Sequence, residues 1–185
     1  MKVAVVLVLI AASACAQDGA AVAAAEAACG PREVNFEVKP DTTHHPVPAP
    51  DSGKALIYVV EDLGQCPDCG QGTGLGQIAT DVSGALTKVG MDGAWVGANQ
   101  GNTYFFLSVE PGDHHLCMNW QSRMSERSRA FAMANLTAEA GKTYYFRARV
   151  FPGEHDYSFD LDLVNSDQGK FLVASSSYSV WRAKK

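Results

Sequence analysis

Cysteines and paired histidines are the residues of this chain whose spacing could support chemistry. Cys66-Pro67-Asp68-Cys69 forms a CxxC. Thiol–disulfide exchange needs the first cysteine of such a pair at a helix N-terminus, where its pKa falls. Here Gly70, Gly72, Gly74 and Gly76 follow instead of a helix, which favours a small structural disulfide over a redox centre. A zinc site would need a second CxxC or a spaced histidine pair, and none matches. The histidines gather in two doublets, His44-His45 and His114-His115. If residues 114–120 form a strand, His115 and Cys117 share one face at i, i+2, a spacing that can chelate a metal. A metal-binding alternative therefore uses His44, His45, His115 and Cys117. The plainer reading packs His114 with Leu116 and Met118 and leaves His44-His45 in an exposed connection; Cys117 in a disulfide could not ligate. Asp160 and Asp162, also two apart, could pair as carboxylates, but a solvated strand face accounts for them. Trp95, near a turn, could be an exposed anchor or a core residue. Gly72-x-Gly74-x-Gly76 lacks the nucleotide-loop spacing, and there is no G-x-S-x-G. These patterns point to no catalytic residues and no cofactor.

The remaining cysteines bear on compartment. Lys2 precedes an apolar run over residues 3–12, too short to span a bilayer and suited to a signal-peptide core. Ala14-Cys15-Ala16 offers a cleavage site after Ala16; alternatively Cys15 ends a lipobox-like stretch and becomes lipidated. Residues 1–16 thus read as a signal peptide. The protein is expected to be exported, periplasmic or secreted, with a membrane-anchored lipoprotein as the alternative. No transmembrane helix is expected. Cleavage after Ala16 leaves Cys29, Cys66, Cys69 and Cys117, an even number suited to disulfides in an oxidising compartment. Three pairings are open, and Cys66–Cys69 with Cys29–Cys117 is preferred. The formal net charge of −5 argues against nucleic acid or anionic lipid as partner.

The elements that must position these residues read as strands. Residues 17–32 are Ala-rich without an apolar stripe and read as a flexible tether, and residues 33–183 as a single β-sandwich domain. Val34 to Val38 alternates apolar and polar, a half-buried strand. Residues 41–53 contain Pro46, Pro48 and Pro50, an exposed connection. Residues 55–60 (ALIYVV) are apolar on both faces, a central strand. Residues 64–76 read as a long glycine-rich surface loop. Residues 86–91 and 94–98 flank Asp92-Gly93, a hairpin signal because a type I′ turn needs two positive φ angles. Residues 102–109 and 114–120 flank a Pro111-Gly112 turn. Residues 131–136, 142–150 and 158–163 add strands, the last with Phe159, Leu161 and Leu163 inward. Asn165-Ser166-Asp167 could cap one short helix to about Ala174, although Gly169 weakens it. The fold expected is all-β, an antiparallel β-sandwich of immunoglobulin-like or PEGA-like type, with that single helix.

The stretch Val89-Gly-Met-Asp-Gly-Ala-Trp-Val-Gly97, followed by Tyr104-Phe-Phe-Leu-Ser-Val-Glu-Pro-Gly-Asp-His-His115, is similar to the PEGA-type hairpin of bacterial surface proteins. With residues 53–60 before it and 141–146 behind, the chain over about residues 53–175 resembles the bacterial family catalogued as domain of unknown function 2846. The resemblance implies an exported, often lipoprotein-like β-domain with no assigned activity and no catalytic residues to carry over. The CxxC loop and Met91, where valine is usual, depart from that pattern. The expected function is a non-enzymatic structural or binding module of the cell envelope, whose partner is an envelope protein or a cell-wall component. The alternatives are a periplasmic metal-binding protein and a thiol–disulfide redox protein.

Overall fold

The computed structural model describes residues 27, 29–31, 33–62, 86–121, 131–152 and 157–184. The leader, Cys15, Cys66 and Cys69 lie outside them, so the expectations resting on those residues do too. Among the described residues there are ten strands and one helix: β1 (Phe36–Asp41), β2 (Ala55–Glu61), β3 (Leu86–Met91), β4 (Ala94–Gln100), β5 (Thr103–Val109), β6 (Gly112–Gln121), β7 (Ala132–Ala138), β8 (Thr143–Pro152), β9 (Tyr157–Val164), α1 (Ser166–Ala174) and β10 (Ser177–Ala183). They form a six-stranded sheet in the order β1-β10-β5-β2-β8-β9 and a four-stranded sheet in the order β4-β3-β6-β7. The fold is an all-β sandwich with a single short helix.

The Asp92-Gly93 turn has φ of 52° and 86°, the two left-handed residues a type I′ hairpin requires. The Pro111-Gly112 turn differs from a hairpin, because β5 and β6 belong to opposite sheets and the turn is a corner between them. The sandwich is not wholly antiparallel. β2 pairs parallel with β8, and β10 parallel with β5. Between β2 and β8 the chain passes through the other sheet and returns in the same direction. Local turn signals report sequential neighbours and carry no information on this long-range pairing.

β2 lies between β5 and β8 and is buried on both faces, as its unbroken apolar run requires. Ala55, Ile57 and Val59 meet Val89, Phe105, Leu116, Met118 and Phe146 in the core between the sheets. Leu56, Tyr58 and Val60 face the opposite way, packing with Tyr104, Tyr145 and the helix residues Leu172 and Val173. Asn165 caps α1, its side chain accepting from the Asp167 and Gln168 N–H groups at 3.1 and 2.9 Å. Leu163, expected inside, is 53 % exposed, because it sits near the end of the edge strand β9, where the facing sheet no longer covers it.

The last residues of the stretch expected to be a tether are packed. Cys29 is bonded to Cys117 of β6, with a Cα–Cα distance of 5.3 Å, and both are buried. A β-carbon at Gly90 would collide with the Cys29 backbone. Further along, Pro31 O accepts from Trp95 Nε1 at 2.7 Å and Val34 O from Lys88 Nζ at 2.9 Å. Residues 29–31 and 33–36 thus form a strap over the outer face of the four-stranded sheet, ending where Phe36 packs on Leu86 and Ala98.

Candidate functional site

Chemistry at the residues singled out from the sequence is limited by what each touches. Cys117 is consumed by its disulfide, which removes it from the proposed metal ligands. His44 Nδ1 lies 2.9 Å from Asp41 Oδ2, and the His45 ring stands edge-on to Tyr104 with centroids 5.0 Å apart. Tyr104 belongs to the outer layer of the six-stranded sheet, whereas His115 is on the outer face of the other. The two doublets therefore lie on opposite sides of the sandwich. Among the described residues no group of three or more His, Cys, Asp or Glu side chains could hold a metal. Asp160 and Asp162 both accept from Arg149 Nη2, at 3.1 and 2.8 Å, a cross-strand charge cluster between β8 and β9. Trp95 is not an exposed anchor: the strap covers it, and Lys88 Nζ sits 4.3 Å from the ring centroid.

His114 is held by charge, not by apolar packing as the sequence suggests. Its Nδ1 is 2.6 Å from Asp92 Oδ2 and its Nε2 is 2.8 Å from Glu110 O. Both partners are acceptors, an arrangement that suits the protonated ring, in which both nitrogens donate. Burial opposes the charge, but the hydrogen bonds to Asp92 and Glu110 and the fields of Asp92 and Asp113 outweigh it and raise the His114 pKa. Burial likewise raises the Asp92 pKa, but the His114 hydrogen bond and the His115 N–H bring it below the usual value. The clasp ties the β3–β4 turn to the β5–β6 corner. Its His114 contribution is complete below the ordinary histidine value of 6.5 and is lost as pH rises through the raised one. Its Asp92 contribution is lost as pH falls through the lowered carboxyl value. His114→Asn should cost about 1 kcal/mol near pH 6, given the partial exposure of Asp92, and less near pH 9. Denaturant melts at both pH values check this, and an equal cost at both would refute the charged clasp.

The concavity that remains lies where β1 and β10 pass the β3–β4 edge. It is a groove of about 580 Å³ whose lining includes Phe36, Val38, Leu86, Gln100, Gln121 and Trp181. Glu37 and Arg182, which are paired with each other, also line the groove, as do Lys39 and Lys184. The Trp181 ring is wedged edge-on by Phe36 and Phe105, with centroids 5.5 and 6.4 Å away, yet the residue is 37 % exposed. Gln121 reaches β1 like a neighbouring strand: its Oε1 accepts from the Phe36 N–H and its Nε2 donates to Phe36 O at 2.8 Å. With Pro40 lacking an N–H, the free edge of β1 is blocked against strand addition. The groove can therefore offer an aromatic face and charged side chains to a ligand, but no main-chain ladder to an extended peptide. Sequence reasoning missed it, because the elements read from the sequence end with the helix near Ala174; the alternation of residues 177–183 as Ser-Tyr-Ser-Val-Trp-Arg-Ala was the available signal.

Among the described residues no helix is long and apolar enough to cross a membrane. Comparison with protein-family models, with curated proteins and with solved structures gives no match.

Proposed function

We propose that this chain is an exported, non-enzymatic binding module of the bacterial cell envelope, and that the groove beside Trp181 receives a cell-wall component. The exposure of Trp181 carries this reading. A large aromatic ring held rigid by Phe36 and Phe105, yet open to solvent over a third of its surface, is pre-organised for contact at little entropic cost. The exported location is supported by the leader at residues 1–16 and by a disulfide compatible with an oxidising compartment. The resemblance over about residues 53–175 supports an envelope role without an activity.

Purified protein should co-sediment with isolated peptidoglycan sacculi, and Trp181→Ala should weaken that binding about tenfold or more, the loss expected of a central aromatic contact. Trp181→Leu, which keeps apolar bulk against Phe36, controls for folding, and its melting temperature should stay close to that of the parent. No binding to sacculi would refute the cell-wall ligand, and undiminished binding by both variants would refute the groove.

A further inference from the structure

We infer that Glu61 is a proton-operated latch between the two sheets, held in the folded domain as the neutral acid and loosening the end of β2 when it ionises. Ala55, Ile57 and Val59 point into the core, and Glu61 is the next residue on that face. It has no solvent exposure, and neither carboxyl oxygen has a hydrogen-bond partner. The Thr87 hydroxyl approaches from the opposite sheet, also buried and without hydrogen-bonding geometry to any group. An ionised carboxylate there would be an uncompensated buried charge, and a group so placed keeps its proton instead.

Among the described residues the surroundings offer no cation. Across the ladder Glu61 pairs with Ala148 of β8. The neighbours of Thr87 are Asn99 on β4 and Trp120 on β6, both uncharged. The Asn99 amide is engaged, donating to Val59 O and accepting from Thr103 Oγ1, each at 3.2 Å. Lys88, next on β3, turns to the outer face and donates to Val34 O. Arg147, beside Ala148, is on the other face of β8 with Asp162. Burial pushes the Glu61 pKa well above its ordinary value of 4.5, and Thr87 pulls it back by less.

The position turns this into a device. Glu61 ends β2, and the following N–H, of Asp62, donates to Ala148 O at 2.9 Å to close the ladder. A charge on Glu61 can be hydrated only if this last rung opens. In the unfolded chain the group ionises near its ordinary value; folded, it ionises higher. Stability is therefore full below that ordinary value and declines as pH rises toward the folded one.

Infrared spectra of isotope-labelled protein at neutral pH, with Glu61→Gln as the reference, test the proton. Wild type should show a neutral-carboxyl carbonyl band that the variant lacks. Unfolding equilibria and hydrogen exchange across pH test the latch. Relative to the variant, the folded-to-unfolded ratio of wild type should fall by up to about tenfold per pH unit between the two ionisation points. Exchange at the Asp62 N–H should accelerate more steeply with pH in wild type. Absence of the band from wild type, or parallel pH curves for the two proteins, would overturn the inference. Absence of any such band is read on wild type alone, so it overturns the inference even if the variant folds poorly.

Discussion

Replacing Cys29 and Cys117 by serine should lower the unfolding free energy by about 4–5 kcal/mol, the chain-entropy value for cross-linking residues 88 apart in sequence. Either single substitution should cost nearly as much as the double, since one bond is lost in each case. The bond also holds the strap over Gly90 and brings Pro31 and Val34 to Trp95 and Lys88. Its loss should therefore expose Trp95, readable as a red shift and stronger quenching of tryptophan emission in the folded variant. Lys88, buried and with a pKa lowered by that burial, gains water at the same time. Urea melts of the oxidised protein and the variants give the number. A cost under about 1 kcal/mol would mean that the strap stays in place without its covalent link.

Gly169→Ala should destabilise the domain by about 1–3 kcal/mol, although alanine is the better helix former by about 1 kcal/mol. The helix lies so close to the six-stranded sheet that a β-carbon at 169 would overlap the Tyr145 ring. Tyr145 cannot turn aside freely, because it stacks on Tyr58 with ring planes 12° apart and centroids 5.2 Å apart. The variant helix must lift and uncover Leu172 and Val173. Thermal melts supply the sign. A stabilised variant would show that the helix has room to move, and that propensity alone decides at this position.

Gly169 also shows how far the sequence could be read. Asn165 announced the helix start and Asp92-Gly93 the hairpin, because caps and turns are local and their chemistry sits in adjacent residues. The double-sided burial of β2 and the alternation in β8 followed from periodicity. Count and compartment gave the expectation of disulfides and left three pairings open, of which Cys29–Cys117 belonged to the preferred one. Gly169, in contrast, looked like a weakness in the helix until Tyr145, far away in sequence, proved to occupy the space of its missing side chain. The same distance hid the rest. The parallel pairing of β2 with β8 depends on a route through the other sheet. Gln121 reads as the polar start of a loop, yet its amide pairs with Phe36, 85 residues away. The groove around Trp181 exists only because β1 and β10 meet there, and the alternation of residues 177–183 signals a strand but not its partner. Glu61 reads as the polar end of an apolar strand, and only the facing sheet buries it.

The strap has a mechanical consequence. A load hung on the chain ahead of Cys29 does not reach β1 first. It passes through the disulfide into β6, which is flanked on both sides by β3 and β7. The force is then shared by two ladders of backbone hydrogen bonds, while β1 and β10 beyond the crossing point stay slack. The lining of the groove on these two strands is thus not the first part of the domain to be loaded by tension that enters ahead of Cys29.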